Sequence, residues 1–151
     1  MPNSSPDPNA DRKAWMSLLA KAPSADLAQL WSAVPVPPHT VLRAPEVGGI
    51  MARGRAGAVG APFNLGEMTV TRSSIKLSDG TVGHAYVQGR DKGHALSAAL
   101  IDALMQTDAA AQMDRTILTP LRDAMLLRTA TRAAKAAATK VDFFTMVRGE
   151  D

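Results

Sequence analysis

The chain has 151 residues, of which 46% are hydrophobic and 21% charged, and it contains no cysteine. This length and composition predict one globular domain. The lack of cysteine excludes disulfides, thiol nucleophiles and thiolate metal sites. The pI of 9.6 is weak evidence for nucleic-acid binding, because 17 basic against 14 acidic residues leave a net charge of only +3.

The basic excess is local. Between Gln112 and Lys140 there are six basic and two acidic residues, and no aromatic residue that could stack on a base. We therefore expect no nucleic acid as partner, although a general basic module that binds nucleic acid or another polyanion remains the alternative.

Residues 1–10 are polar and rich in proline, which predicts a disordered lead and not a secretory signal. No stretch approaches the ~20 apolar residues of a membrane span. We expect a cytoplasmic protein without membrane contact, whose residues 11–151 form a single α+β domain.

Two short helices are predicted first, as a helical hairpin. Asn9 or Asp11 can cap the first helix, which ends at Pro23, and Ser24 can cap the second, which ends at Pro35. Apolar residues recur at helical spacing in both, at Trp15, Leu18, Leu19 and Ala22, and at Leu27, Leu30, Trp31 and Val34.

Strand-like periodicity follows, with candidates at Thr40–Ala44, Gly49–Arg53, Leu65–Leu77 and Thr81–Gln88. The Asp79-Gly80 pair predicts a tight hairpin between the last two. Together they predict an antiparallel sheet of about four strands. The glycine-rich segment 54–60 is interpreted as a mobile loop between strands. A phosphate-binding loop is the weaker alternative, because the segment lacks the Lys-Ser/Thr ending of that motif.

Asp91 can cap a third helix that reaches about Gln106 and buries Leu96, Leu100, Ala103 and Leu104. An alanine-rich helix, in one or two pieces broken near Thr119-Pro120, then runs to about Lys140, and a strand-like tail ends the chain. Helices, then strands, then helices predict an α+β fold and not an alternating one.

The turn from the last strand into this third helix is a candidate anion site. Arg90, Lys92 and His94 surround a helix N-terminus, whose N–H groups favour a phosphate or phosphonate oxygen. The competing interpretation is that Asp91 caps the helix, which would occupy those N–H groups and repel an anion.

Four further features bear on function. Asp102, placed away from the leucine face, is predicted to face solvent or a partner. Arg128, Arg132 and Lys135 share one helix face, interpreted as a solvated face, with a partner interface or a polyphosphate contact as the alternatives. The three histidines are dispersed, so no metal site is expected. The apolar tail must dock somewhere, and Phe143, Phe144, Met146 and Arg148 are assigned to a partner interface.

Several blocks in a fixed order make the chain similar to a known family. They are Thr69-Val-Thr-Arg72, Asp79-Gly-Thr-Val-Gly83, Val87-Gln-Gly-Arg-Asp-Lys92, His94-Ala95, Ala99-Leu-Ile-Asp-Ala-Leu-Met-Gln106 and Val141-Asp-Phe-Phe-Thr-Met-Val-Arg-Gly149. Together they resemble PhnG, a small subunit of the bacterial carbon–phosphorus lyase system, over nearly the whole chain.

The resemblance implies an accessory subunit with no catalytic residue of its own. The family works with PhnH-, PhnI- and PhnL-type partners to form α-D-ribose 1-methylphosphonate 5-triphosphate from ATP and methylphosphonate, releasing adenine. It also implies a core assembly with PhnI as the most direct contact and PhnJ, which carries an iron–sulfur cluster and uses S-adenosylmethionine. Mg-ATP would be a substrate of the complex, and this subunit would bind no cofactor or metal alone.

Overall fold

The computed structural model describes residues 7–57 and 59–141. Its elements are, in chain order, helices α1 (Ala10–Lys21) and α2 (Ser24–Trp31), strands β1 (His39–Arg55), β2 (Pro62–Leu77) and β3 (Val82–Gln88), helices α3 (Lys92–Leu104) and α4 (Ala110–Met113), a π-helical turn (Asp114–Leu118) and helix α5 (Thr119–Ala138). The predicted α+β order is confirmed. Helix α1 begins within the segment that was predicted to be a disordered lead.

The described strands form one antiparallel sheet in the order β1-β2-β3. The predicted number of about four strands was wrong, because Thr40–Ala44 and Gly49–Arg53 belong to the single strand β1. Irregularities in the register near Leu42 and Pro45 bend β1 without ending its pairing with β2. Strand β1 also continues to Arg55, so the glycine-rich connection is shorter than predicted.

The outer parts of β1 and β2 extend beyond the rest of the sheet. Strand β3 pairs only with the segment Val70–Lys76 of β2. Residues 49–55 and 62–69 pair with each other, and among the described residues one further backbone hydrogen bond lies at their inner end, from Gly89 to Thr69. We call these two segments the ribbon. A two-stranded ribbon is marginally stable in water by itself.

Helices α1 and α3 pack on one face of the sheet, α2 packs on α3, and together they form the core. Leu19, Leu27, Ile75 and Val87 are fully buried there. The predicted helical hairpin is confirmed, but Ser24 does not cap α2. Pro23 holds the N-cap position, and the Ser24 hydroxyl donates to Asp91 at the start of α3 instead.

Helix α3 buries its small residues more deeply than its leucines. Leu96 and Leu104, assigned to the buried face, are only partly buried. The fully buried positions include Ala95, Ala98, Ala99 and Ala103, together with Leu100 and Ile101. Short side chains let the helix approach the sheet closely, and the approach is closest at Gly83 of β3. A Cβ atom there would lie 2.0 Å from the carbonyl oxygen of Ala99.

The last helical region buries side chains only near its beginning. Ile117, Leu118 and Leu121 are buried, but no later residue of α5 is. The hydrogen-bond pattern changes from π to α at Thr119, where a break was predicted. Pro120 has no N–H to donate to the carbonyl group four residues earlier, which fits this change. Beyond Leu121, the described part of α5 therefore lies at the surface, held to the body by exposed contacts such as the ion pair between Arg128 and Asp26.

Two further predictions concern the C-terminal tail and membrane contact. The tail interface of Phe143, Phe144, Met146 and Arg148 lies outside the described residues. Within the described ranges, no helix has both the length and the apolarity to cross a membrane.

We predict that Gly83→Ala destabilises the protein by about 1–3 kcal/mol, because the added methyl group would collide with the backbone of α3. Urea unfolding followed by circular dichroism measures this loss. Gly48→Ala is the matched control, since nothing lies within 4 Å of a Cβ there. Equal stability of the two variants would contradict the close approach.

Candidate functional site

Asp102 is the most highly connected polar residue of the core. It lies on α3 with 0% exposure. Arg12 of α1 donates to both carboxylate oxygens, from Nε to Oδ1 at 3.1 Å and from Nη2 to Oδ2 at 2.7 Å. Trp15 Nε1 donates to Oδ1 at 2.8 Å, and the backbone N–H of His84 in β3 donates to Oδ2 at 2.9 Å.

This arrangement overturns the prediction that Asp102 faces solvent or a partner. Its position opposite the leucines suggested exposure, but the alanine side of α3 is the side that packs inward. Each oxygen accepts two hydrogen bonds, so neither is directed at an open site where it could take a proton from a substrate. The hydrogen bonds to Asp102 also raise the pKa of Arg12 above its ordinary value. Asp102 therefore joins α1, β3 and α3 structurally.

The same helix covers the free edge of β3. The side-chain amide of Gln106 donates to the carbonyl oxygen of Val82 at 3.0 Å, while Asp102 accepts from His84. An uncovered strand edge offers unpaired backbone groups to other chains. On β3 the helix side chains satisfy part of this edge, which makes strand addition by a partner unfavourable there.

The turn from β3 to α3 is built around a cap. Gly89 adopts a φ of 93°, and Asp91 Oδ1 accepts from the backbone N–H of His94 at 3.0 Å. Oδ2 accepts from the Ser24 hydroxyl at 2.6 Å. The Ser24 and His94 hydrogen bonds lower the pKa of Asp91. The capping interpretation is thus confirmed, and a carboxylate occupies the position that an anion would take.

The three residues of the candidate anion site do not act together. His94 is buried, and its Nε2 contacts the carbonyl oxygen of Leu19 at 2.7 Å, so the ring carries its proton on Nε2 and joins α3 to α1. Arg90 and Lys92 are exposed on either side of Asp91. Their positive charge is available to a ligand or a partner, whereas the ring of His94 points into the core.

The basic face of α5 is exposed. Arg128 forms an ion pair with Asp26 of α2 at 3.2 Å. Arg132 and Lys135 continue the face and line a shallow groove with Leu127 and Thr131. The ion pair is between exposed groups, so it stabilises little. The face is solvated in this chain, and its assignment to a partner interface stays a prediction.

The histidines lie apart, and each has its own hydrogen bond. His39 Nδ1 contacts the carbonyl oxygen of Pro37, and His84 Nδ1 contacts the hydroxyl of Ser74 on the outer face of the sheet, both at 2.8 Å. In the part of the chain that the structure describes, no three His, Asp or Glu side chains come together as a metal site would require.

Large apolar side chains are exposed at several positions of the described chain, including two neighbouring groups. Ile50, Met51, Phe63 and Leu65 lie on the ribbon, and Leu126 and Leu127 lie on the exposed part of α5. Soluble monomers seldom expose such groups together, and surfaces of this kind mark interaction sites. Neither surface was predicted from the sequence. Gly49–Arg53 and Leu65–Leu77 were predicted as strands without an exposed apolar face, and the last helix was interpreted by its charges.

The chain matches a known protein family over nearly its whole length. The family model described as "Phosphonate metabolism protein PhnG" matches residues 10–149. The chain belongs to the PhnG family. It is 43% identical over 143 residues to the PhnG subunit of alpha-D-ribose 1-methylphosphonate 5-triphosphate synthase from Rhizobium meliloti, a match that covers 94% of this chain and 92% of that protein. The resemblance seen in the sequence is confirmed.

Several residues in the blocks that resemble PhnG have structural roles here. The Thr71 hydroxyl donates to the carbonyl oxygen of Gly89 at 2.8 Å, which ties β2 to the turn. Gly83 admits α3, Asp91 caps that helix, and Asp102 joins three elements. Arg12 and Trp15 were not predicted from the sequence as partners of Asp102. The one signal for a buried Asp102 was that it is a single acid among alanines, on a helix that follows a strand containing Gly83.

We predict that Asp102→Asn lowers the free energy of unfolding by about 3 kcal/mol. Every group around Asp102 is a donor, so an amide NH₂ would face other donors and leave Arg12 unpaired. The value lies at the lower end for a buried pair because the Arg12 side chain is 31% exposed. Asp108→Asn is the exposed control. A loss below about 1 kcal/mol, measured in urea, would contradict the role of Asp102.

Proposed function

We propose that this chain is an accessory, non-catalytic subunit of the synthase that forms α-D-ribose 1-methylphosphonate 5-triphosphate from ATP and methylphosphonate, with release of adenine. The observation that carries the proposal is the 43% identity, over almost the full length of both chains, to a relative that bears this subunit name. Phosphonate catabolism is the corresponding process, which agrees with the description of the family model.

The geometry supports an accessory role in a second way. The best-placed acid, Asp102, has both oxygens occupied by donors of its own chain, and His94 and Asp91 hold helices in place. These three residue types could serve in catalysis, but here their polar atoms maintain the fold. The apolar and basic surfaces, in contrast, face outward.

The partners and cofactors follow from the same proposal. PhnH-, PhnI- and PhnL-type subunits would complete the synthase, with the PhnI type in most direct contact, and a PhnJ-type subunit would join the core assembly in the cytoplasm. Mg-ATP would be a substrate of the complex. The iron–sulfur cluster and S-adenosylmethionine would belong to the PhnJ-type partner and not to this chain.

The reaction places two electrostatic demands on the complex. A phosphonate oxygen must approach C1 of the ribose while adenine leaves, and the charge of the triphosphate must be neutralised by Mg²⁺ and basic side chains. Arg90 and Lys92 are the exposed cations nearest to the helix N-terminus of α3. We assign them a supporting electrostatic role at the surface shared with a partner.

Reconstitution tests the subunit role. We expect adenine release from ATP and methylphosphonate when this chain is mixed with the H-, I- and L-type subunits, and none from this chain alone. Chromatography of adenine and phosphorus NMR of the product measure the reaction. A mixture without this chain that releases adenine at the full rate would contradict the proposal.

We predict that Arg90→Ala slows adenine release about tenfold, because one cation near the triphosphate is lost. Lys76→Ala removes an exposed cation elsewhere on the sheet and should leave the rate unchanged. Size-exclusion chromatography must show that both variants assemble normally. An unchanged rate for Arg90→Ala in an intact assembly would rule out the electrostatic role.

A further inference from the structure

We propose that the ribbon is a docking arm, and that its occupant is a groove on a partner subunit with an apolar floor and acidic walls. The inference deepens the proposed function and rests on it, since the groove would belong to a subunit of the synthase. It is carried by the distribution of apolar and charged side chains over the two faces of the ribbon.

The ribbon reaches well away from the body. Seven residues of β1 at about 3.3 Å per residue span roughly 23 Å. Apart from the hydrogen bond that Thr69 accepts from Gly89, the ribbon's strands pair only with each other, because the register of β3 with β2 ends at Val70. Burial of its side chains by other elements is slight, and Ile50, Phe63 and Leu65 remain 42%, 46% and 64% exposed.

One face of the ribbon is apolar. Side chains alternate between the two faces of a strand, and directly paired residues share a face. Ile50 pairs with Met68 and Gly54 with Phe63, on the face opposite to the helices. The register shift between Ala52 and Arg53 inserts Leu65, whose side chain lies over Gly54, 2.5 Å from the position of a Cβ atom there. This face therefore carries Ile50, Phe63, Leu65 and Met68.

The other face is basic. Met51, Arg53 and Arg55 alternate along β1 on this side, with Glu67 and Asn64 opposite them. The Glu67 side chain folds over Gly49. Among the described residues, Arg53 and Arg55 have no ion pair and no side-chain hydrogen bond, unlike Arg43 and Arg72, which pair with Glu46.

These features select a protein partner of opposite charge. Two arginines that form no ion pair or side-chain hydrogen bond among the described residues, with exposed Met51 on the same face and exposed Phe63 on the other, are the residue types that interfaces favour. A second copy of this chain is the weaker candidate, because a symmetric contact through the basic face would bring two surfaces of the same positive charge together. A groove whose walls carry Asp and Glu would pair these arginines, while its floor covers the apolar face.

We test the arm with two variants of the full chain. Ile50→Ser with Phe63→Ser removes apolar anchors, and Arg53→Glu with Arg55→Glu reverses the charge. Each should weaken binding to the assembled H-, I- and L-type subunits at least about tenfold in biolayer interferometry. The effect of the charge reversal should shrink as salt rises to about 0.5 M, because exposed charges are screened.

Matched controls separate binding from folding. Val36→Ser, at an exposed position outside the ribbon, and Lys21→Glu with Lys76→Glu should bind like the wild type. Because the altered ribbon residues lie outside the core, the thermal midpoint should stay within a few degrees of the wild type. If one of the two ribbon variants misfolds, the binding of the other still tests the proposal. If the folded ribbon variants bind within twofold of the wild type, the docking-arm proposal is wrong, even when the complex assembles and releases adenine normally.

A photo-crosslinking residue in place of Leu65 identifies the occupant in the assembled complex. Crosslinks to a partner segment that contains Asp or Glu beside apolar residues support the proposal. Crosslinks to a second copy of this chain, crosslinks to its own residues 142–151, or no crosslink would each overturn it. If the wild-type chain fails to bind the partner subunits at all, the proposed function itself fails, and the partner inferred here fails with it.

Discussion

The four hydrogen bonds to Asp102 are the constraint on which the body of this protein depends. They join a residue of α3 to two residues of α1 and to the backbone of β3, elements that are far apart in the chain. An acid buried in a core is tolerated only when its oxygens are fully satisfied, because desolvation of a charge is expensive. Here Arg12 supplies the opposite charge, and Trp15 and His84 complete the set of donors.

That constraint explains the small residues around it. Asp102 can reach the N–H of His84 only if α3 lies very close to β3, and Gly83 with Ala99 and Ala103 permits this approach. Larger side chains at these positions would move the helix outward and lengthen the hydrogen bond. The close packing and the buried ion pair are thus parts of one arrangement, since neither could form without the other.

Local features of the fold could be predicted from the sequence, and long-range ones could not. The helical hairpin, the Asp79-Gly80 turn and the Asp91 cap depend on residues within a few positions of one another, and all three are confirmed. Asp102 was misplaced because helical periodicity shows which residues share a face, but not which face packs inward. That choice depended on Gly83, 19 positions earlier, which can be paired with α3 only once the fold is known.

The same reasoning accounts for the ribbon. Glycine is a poor strand former, so the glycine-rich segment 54–60 indicated a loop, although Gly49–Arg53 and Leu65–Leu77 on either side of it were predicted as strands. What places Gly54 and Arg55 in β1 is their register with β2, which no local pattern contains. For the candidate anion site, the sequence likewise showed which residues are near one another in the chain, but not which way their side chains point. His94 follows Arg90 and Lys92 in the sequence, yet the first turn of the helix directs its ring toward Leu19.

The body and the ribbon therefore differ in what stabilises them. The body is held by a shared core and by Asp102, whereas the ribbon depends on pairing between two glycine-containing segments, which is marginal alone. A partner that binds only the paired form of the ribbon must stabilise that form by mass action. Assembly and ribbon order are then thermodynamically coupled, and part of the binding free energy is spent on ordering the arm. Because the Asp102 network lies in the body and not in the ribbon, this coupling leaves the core unchanged when the partner binds.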